Sequence, residues 1–285
     1  MVRAMGLALG VVWLTGCGLW AVLRGEVAQP LVCIQITETQ DADAFQRVMS
    51  ELRERGIKTV VLVDADFVTE NCASIKALAD DGYEIMAFVS PDAPEGELVT
   101  LSMLSHEEQE QLITGVKTAI EDCLGEDIRG FRCYRFDQNE DTYAIVDALG
   151  FDFNLGFVAR TDCSLPGHDD DSLPYQSPEY NFWAVPMHSV CADGQCTAFC
   201  DMPFRNLEAD EWEALLISEF DTQAAQGDPL LVEFHPYYTG IDEGRFEAFV
   251  SFLDYAVEKG ARFLTVAELV EQTGLENNSG CTCDE

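Results

Sequence analysis

From position 31 onward, short unbroken apolar runs alternate with longer amphipathic stretches. Runs of about four to eight apolar residues bounded by turn formers predict buried strands, and apolar positions recurring at three- and four-residue spacing predict helices. Strands are expected over 31–36, 59–63 and 83–89, around Arg132, and over 151–157, 230–234 and 262–265. Between the first two, residues 43–55 place Phe45, Val48, Met49 and Leu52 on one helical face. Further helices are expected over 74–81, from Ser105 to Leu124, from Asn139 to Leu149, over 207–225 and 243–258, and in a last segment ending near Thr273. Ser105 and Asn139 are N-cap residues followed by acids in the first turn, where the helix dipole favours them. Gly150 is placed to end its helix.

Strands that alternate with helices at this spacing make an α/β protein with a parallel sheet. The count is about seven βα units, one fewer than a closed TIM barrel requires. No Gly-x-Gly-x-x-Gly opens the first helix, which argues against a dinucleotide-binding sheet. Residues 160–200 break the alternation, with Pro, Asp and Cys in place of periodicity. This segment is expected to be a disulfide-braced insertion over one face, with a hairpin around 182–187. The acidic tail 274–285, which contains Cys281 and Cys283, has no core of its own.

Charge changes the picture of partners. The 285 residues carry 52 Asp and Glu against 16 Lys and Arg, a net charge of −36. Such a surface repels phosphate and excludes nucleic acid as a natural partner. It suits either a halophilic or marine source or an acidic secreted protein. Residues 1–24 hold Arg3, an apolar run and Leu14-Thr15-Gly16-Cys17, which resembles a bacterial lipobox with Cys17 as the lipidated thiol. The alternative is an uncleaved signal anchor, since the apolar run continues past Cys17 to Leu23. Either arrangement exports the domain and attaches it to the cell envelope, with the membrane contacted through the N-terminus. Setting Cys17 aside leaves an even number of the 11 cysteines, as expected for disulfides in an oxidising compartment. His188 with Cys191, Cys196 and Cys200 offers a second reading, a zinc set.

The stretch with most chemistry runs from Gly130 to Thr142. A short strand delivers Arg132 and Tyr134 to a polar loop ahead of a helix that closes in Leu149-Gly150-Phe151. In α/β barrels, active sites sit at this end of the strands. The stretch resembles the third signature of the polysaccharide deacetylase, or NodB-homology, family. Gly82-Tyr83-Glu84-Ile85 resembles the family's lead-in to its metal-binding strand end, and Leu104 to Gln109 the helix start after it. Leu230-Leu231-Val232-Glu233-Phe234-His235-Pro236 resembles the strand that ends in the family's catalytic histidine, and Gly260 to Thr265 with Leu269 resembles its closing strand and helix. The resemblance covers roughly Leu31 to Thr273 and implies a barrel domain over residues 28–273, a distorted, incomplete (β/α)7-type barrel acting on carbohydrate.

In that family the first strand ends in Thr-Phe-Asp-Asp-Gly. One Asp is the base, and the other joins two histidines of a His-x3-His segment around a divalent metal that activates water. Here Thr37 falls at the base position, Glu38 at the metal Asp, and Phe88 and Asp92 at the two histidines. The Asp-His-His triad is therefore expected to be lost. The candidate catalytic residues that remain are His235 and Arg132, with Tyr134, Tyr237 and Tyr238 as candidate saccharide contacts. Glu38 and Asp92, with Asp41, are candidate oxygen ligands for a hard divalent metal. His168 followed by three Asp is better explained as a charged loop than as a calcium site, and no Gly-x-Ser-x-Gly elbow is present.

The expectation is an envelope-anchored protein that binds glycan in the barrel mouth without the usual metal-dependent deacetylation. One alternative is a hydrolase that releases acetyl groups through an atypical metal site or a metal-free site around His235 and Arg132. The other is a structural lipoprotein in which the barrel is only a scaffold.

Overall fold

The computed structural model describes residues 29–278. The export signal with Cys17, and the tail beyond residue 278, lie outside the described residues. The chain opens with β1 (Leu31–Glu38), α1 (Ala42–Glu54), β2 (Val60–Val63), α2 (Ala65–Asp80) and β3 (Glu84–Val89). It continues with α3 (His106–Leu124), β4 (Gly130–Cys133), α4 (Glu140–Ala148) and β5 (Phe153–Asn154). Four short strands follow, β6 (Tyr175–Gln176), β7 (Trp183–Ala184), β8 (Ser189–Ala192) and β9 (Gln195–Ala198). The last part is α5 (Ala209–Gln226), β10 (Leu230–Phe234), the single turn α6 (Pro236–Thr239), α7 (Glu243–Glu258), β11 (Arg262–Phe263) and α8 (Val266–Asn278).

The main sheet runs β10-β1-β2-β3-β4-β5-β7-β6, with β11 beside the start of β1. Every pairing is parallel except that of β6 with β7. The sheet curls into an incomplete barrel with helices outside, the expected architecture. Residues 199–201 lie along the free edge of β10, where Glu233 N–H donates to Phe199 O at 3.1 Å and Asp201 N–H donates to Glu233 O at 3.2 Å. A sheet edge that would otherwise show unpaired backbone is thereby covered.

Side chains alternate between two cores. Val32, Ile34 and Ile36 of β1, Phe131 and Cys133 of β4, and Val232 and Phe234 of β10 pack into the large core shared with the helices. Cys33, Val60, Leu62, Met86, Phe88 and Leu231 belong to a second core inside the curl. Because strand side chains repeat every two residues, this parity places Gln35, Thr37, Arg132 and Glu233 on the interior face.

The helix starts follow side-chain capping. Asp41 accepts from Ala44 N–H at 2.9 Å, Ser105 and Glu108 form a reciprocal capping box, and Asn139 pairs with Thr142 in the same way. The second helix begins nine residues before the expected position 74. Asp64 caps it through Phe67 N–H, and Asn71 (φ −118°) interrupts its regularity in the middle, which hides the first half from a periodicity reading. At its other end the barrel is tied by Glu84. This carboxylate accepts from the N–H groups of Val266 (2.7 Å) and Ala267 (3.2 Å) in the first turn of α8, and burial pushes its pKa up to about 6.

The insertion differs from the expected hairpin over 182–187. Residues 183–184 join the main sheet beside β5, and the hairpin proper is β8–β9. Its turn is Asp193-Gly194, both with positive φ (51° and 79°), as a two-residue type I′ turn requires. A Cys191–Cys196 disulfide crosses that hairpin, so these thiols do not form a zinc set with His188, whose Nε2 lies 2.9 Å from Glu219.

Cys72–Cys123 joins α2 to α3 across 51 residues of sequence. Loop-closure entropy for that span gives a stabilisation of about 4 kcal/mol. Guanidinium unfolding of the Cys72→Ser/Cys123→Ser double variant should show a loss of about that size, whereas Cys191→Ser/Cys196→Ser, which closes a much shorter loop, should cost clearly less.

Candidate functional site

The C-terminal ends of β1, β4 and β10 meet in a buried chain of charged groups. Arg132 Nη1 donates to Glu233 Oε1 in an ion pair whose side chains are 3% and 0% exposed. Thr37 Oγ1 donates to the same carboxylate oxygen at 2.6 Å. His235 Nε2 stands 3.6 Å from it, and on the other side of the ring Nδ1 meets Asp201 Oδ1 at 2.6 Å. Asp201 is fully buried and fully engaged, since its second oxygen accepts from His235 N–H (2.8 Å) and Thr239 Oγ1 (2.6 Å). The guanidinium of Arg132 lies 4.1 Å above the Phe136 ring and 5.9 Å from that of Phe88.

This arrangement sets the protonation states. Burial alone would push the Glu233 carboxyl up, but Arg132, His235 and Thr37 together hold it below the usual carboxylate range. Burial would likewise push His235 down, yet the Glu233 and Asp201 carboxylates outweigh it and raise the imidazole above 6.5. The two carboxylates therefore favour the imidazolium form. It can donate a proton from Nε2 and cannot act as a base while so charged.

The chain of charges forms the floor of an open cleft of about 570 Å³. Tyr134 and Tyr237 line it with Phe88, Arg135, Arg205 and Met202. The structure thus brings together four of the residues singled out in sequence, Arg132, Tyr134, His235 and Tyr237. Tyr238 lies apart, its hydroxyl donating to Arg205 O at 3.0 Å and its ring under Arg245. Glu233, Asp201, Arg135 and Arg205 were not singled out. Glu233 carried one visible sign, an acid inside the apolar run of a central strand, whereas Asp201 sits in a segment with no periodicity.

The donors for a metal do not fit. Phe88 presents a phenyl ring where the family resemblance implies an imidazole. Glu38 Oε1 is taken by the N–H groups of Thr39 (2.8 Å), Gln40 (2.6 Å) and Asp41 (3.0 Å), so the carboxylate caps its own loop. Burial nevertheless leaves its pKa raised. Asp92 is exposed and near Asp64, while Asp41 caps α1. Among the described residues no three His, Cys, Asp or Glu side chains gather as a metal-binding group. His168 stacks on Tyr175 and pairs with Asp171 at 2.7 Å.

Removing one partner of the buried ion pair strands the other. Arg132→Leu should destabilise the protein by about 3–5 kcal/mol in chemical denaturation, and the double variant Arg132→Leu/Glu233→Leu should recover most of that loss. The raised His235 pKa has a definite sign as well. Its stabilisation is complete below the unfolded value near 6.5 and is lost as pH rises through the folded value. An NMR titration should place the His235 midpoint above 6.5, and Asp201→Asn should lower it.

No family profile and no curated protein matches the sequence. Solved structures do align. Puue allantoinase is 15% identical over 87% of this chain and 91% of its own, with a TM-score of 0.67. A probable polysaccharide deacetylase from Pseudomonas aeruginosa PAO1 is also 15% identical, over 86% of this chain and 90% of its own, with a TM-score of 0.67. A CE4 family pseudoenzyme from Bacillus anthracis aligns at 13% identity over 84% of this chain and 66% of its own, with a TM-score of 0.51. The chain therefore carries the polysaccharide deacetylase fold in a divergent form.

Proposed function

We propose that this chain is an envelope-anchored carbohydrate-binding protein that uses the deacetylase fold without metal-dependent deacetylation. One observation carries the reading. The cleft is open and lined by Tyr134 and Tyr237, while Phe88 stands where a metal-ligating imidazole would be needed. Aromatic faces beside hydrogen-bonding groups suit a sugar ring, which has apolar faces and a polar rim. The alignment with a pseudoenzyme of the same fold supports the reading, as does the apolar N-terminal run for export.

A second reading has its own support in the contact between His235 Nε2 and Glu233. With Asp201 behind it, the imidazolium is placed to protonate a leaving group in a metal-free hydrolysis. No other group in the cleft is a free base, since Glu233 is held by Arg132 and Thr37. The binding reading is therefore preferred.

The two readings separate by experiment on the detergent-solubilised full-length protein. Metal analysis is expected to find far less than one equivalent of any divalent ion, and acetylated oligosaccharides are expected to release no acetate above background. Calorimetry should show saturable saccharide binding that survives EDTA. Stoichiometric metal with acetate release would sink the proposal. Acetate release without metal, abolished in His235→Gln, would establish the second reading.

A further inference from the structure

We infer that the cleft selects a carboxylated saccharide, a uronate, over a neutral one. The inference rests on the carbohydrate reading above and names its ligand class. Three guanidiniums, those of Arg132, Arg135 and Arg205, line the cleft together with His235, and Glu233 is the single carboxylate among the lining residues. Counting the buried Asp201 behind His235, the site holds four cationic groups against two acids. The whole chain has the opposite balance, 16 Lys and Arg against 52 acids. A quarter of its 12 arginines lie at this one cleft.

These arginines are not all needed by the protein itself. Arg132 is neutralised by Glu233. Arg135 and Arg205 are exposed and have no ion pair among the described residues, although acids outnumber bases more than threefold. Elsewhere, Arg47, Arg53, Arg55, Lys117 and Arg129 each meet a carboxylate, while the exposed Arg160 and Arg262, neither of them in the cleft lining, have no ion pair among the described residues. What sets Arg135 and Arg205 apart is that they gather with Arg132 and His235 around one cleft in so acidic a chain, and that gathering suits an anion supplied from outside.

The backbone supports a functional placement. Arg135 and Phe136 both have a φ of 59°, a left-handed conformation that costs about 1–3 kcal/mol at each non-glycine residue. The strained turn seats Phe136 against the Arg132 guanidinium and leaves Arg135 at the cleft. At the floor, Arg132 Nε and Glu233 Oε2 are buried and have no hydrogen-bond partner, one a donor and the other an acceptor. A sugar hydroxyl offers the complementary acceptor and donor once side chains at the floor give way to admit it, and a guanidinium fork matches a planar carboxylate. Hydroxyls toward the floor and a carboxylate toward Arg135 and Arg205 define a uronic acid, its ring face against Tyr134 or Tyr237.

The test is calorimetric titration of the full-length protein with tetragalacturonate and with neutral chitotetraose and cellotetraose. The acidic oligomer should bind at least about tenfold more tightly, and Arg135→Gln and Arg205→Gln should each weaken it by about tenfold, the scale of one charge-assisted contact. Neutral-oligomer affinity should change little in either variant. Arg262→Gln, an exposed arginine far from the cleft on β11, should leave all affinities unchanged. The global charge of −36 opposes any polyanion, so a preference for the acid cannot come from the surface at large. Equal affinity for neutral and acidic oligomers, or tetragalacturonate binding indifferent to both Arg→Gln changes, would overturn the uronate inference and leave the carbohydrate reading intact. Binding of none of the three oligomers would overturn both.

Discussion

The ion pair between Arg132 and Glu233 is the constraint on which the rest of the structure depends. Its two strands stand four places apart in the sheet, in the order β10-β1-β2-β3-β4. Laid flat at the usual strand spacing, they would be roughly 19 Å apart, beyond the joint reach of the two side chains. The contact exists because the sheet curls, and the buried charges in turn demand that curl. Separating them without water would leave a guanidinium and a carboxylate each bearing a desolvation cost of several kcal/mol. Thr37, His235 and Asp201 extend the compensation, so that five side chains from three strands and one covering segment share a single electrostatic unit.

That unit explains how the site differs from what the family resemblance implies. The first strand offers Thr37 in place of an acid, yet a carboxylate does lie against it, supplied from the neighbouring strand by Glu233. Arg132 finds its anionic partner, Glu233, on β10. His235 has a carboxylate behind it in Asp201. Only the metal side is emptied of ligands, with Phe88 turned into the inner core and Glu38 turned back on its loop. The polar half of the site is largely paired internally, with Arg132 Nε and Glu233 Oε2 left over, while the other half presents aromatic rings.

Much of the fold was legible because its central strands are buried on both faces and read as unbroken apolar runs, as in β2 (Val60–Val63). Local capping chemistry was equally legible at Ser105 and Asn139. What escaped had physical reasons. The first half of α2 was hidden by the break at Asn71, and the β8–β9 hairpin by reading Asp193-Gly194 as part of an irregular segment when that dipeptide is itself a turn signal. Arg132 and His235 were found because each ends a strand. Glu233 was passed over inside its apolar run, although an acid there must find a cation or fail to fold. Asp201 could not have been found, because its role is defined by a residue 34 positions away.

The same electrostatic logic joins the cleft to the exterior. An acidic surface attracts cations, and Arg47, Arg53, Arg55 and Arg129 are drawn into ion pairs with it. To keep Arg135 and Arg205 free, the chain must hold them away from that surface. It does so with a strained turn at Arg135 and, for Arg205, with a loop pinned by Tyr238 and by Arg245, which donates to Phe204 O and Leu207 O. Tyr238, a candidate sugar contact in the sequence, therefore serves the cleft indirectly by fixing the backbone of one of its arginines. The lining itself carries three arginines and one carboxylate in a chain of net charge −36, so on the proposed reading an anionic ligand would meet attraction at contact distance and repulsion over the rest of the surface. Such a field sharpens selection for position: it disfavours an acid bound loosely over the surface and favours one seated between the two arginines.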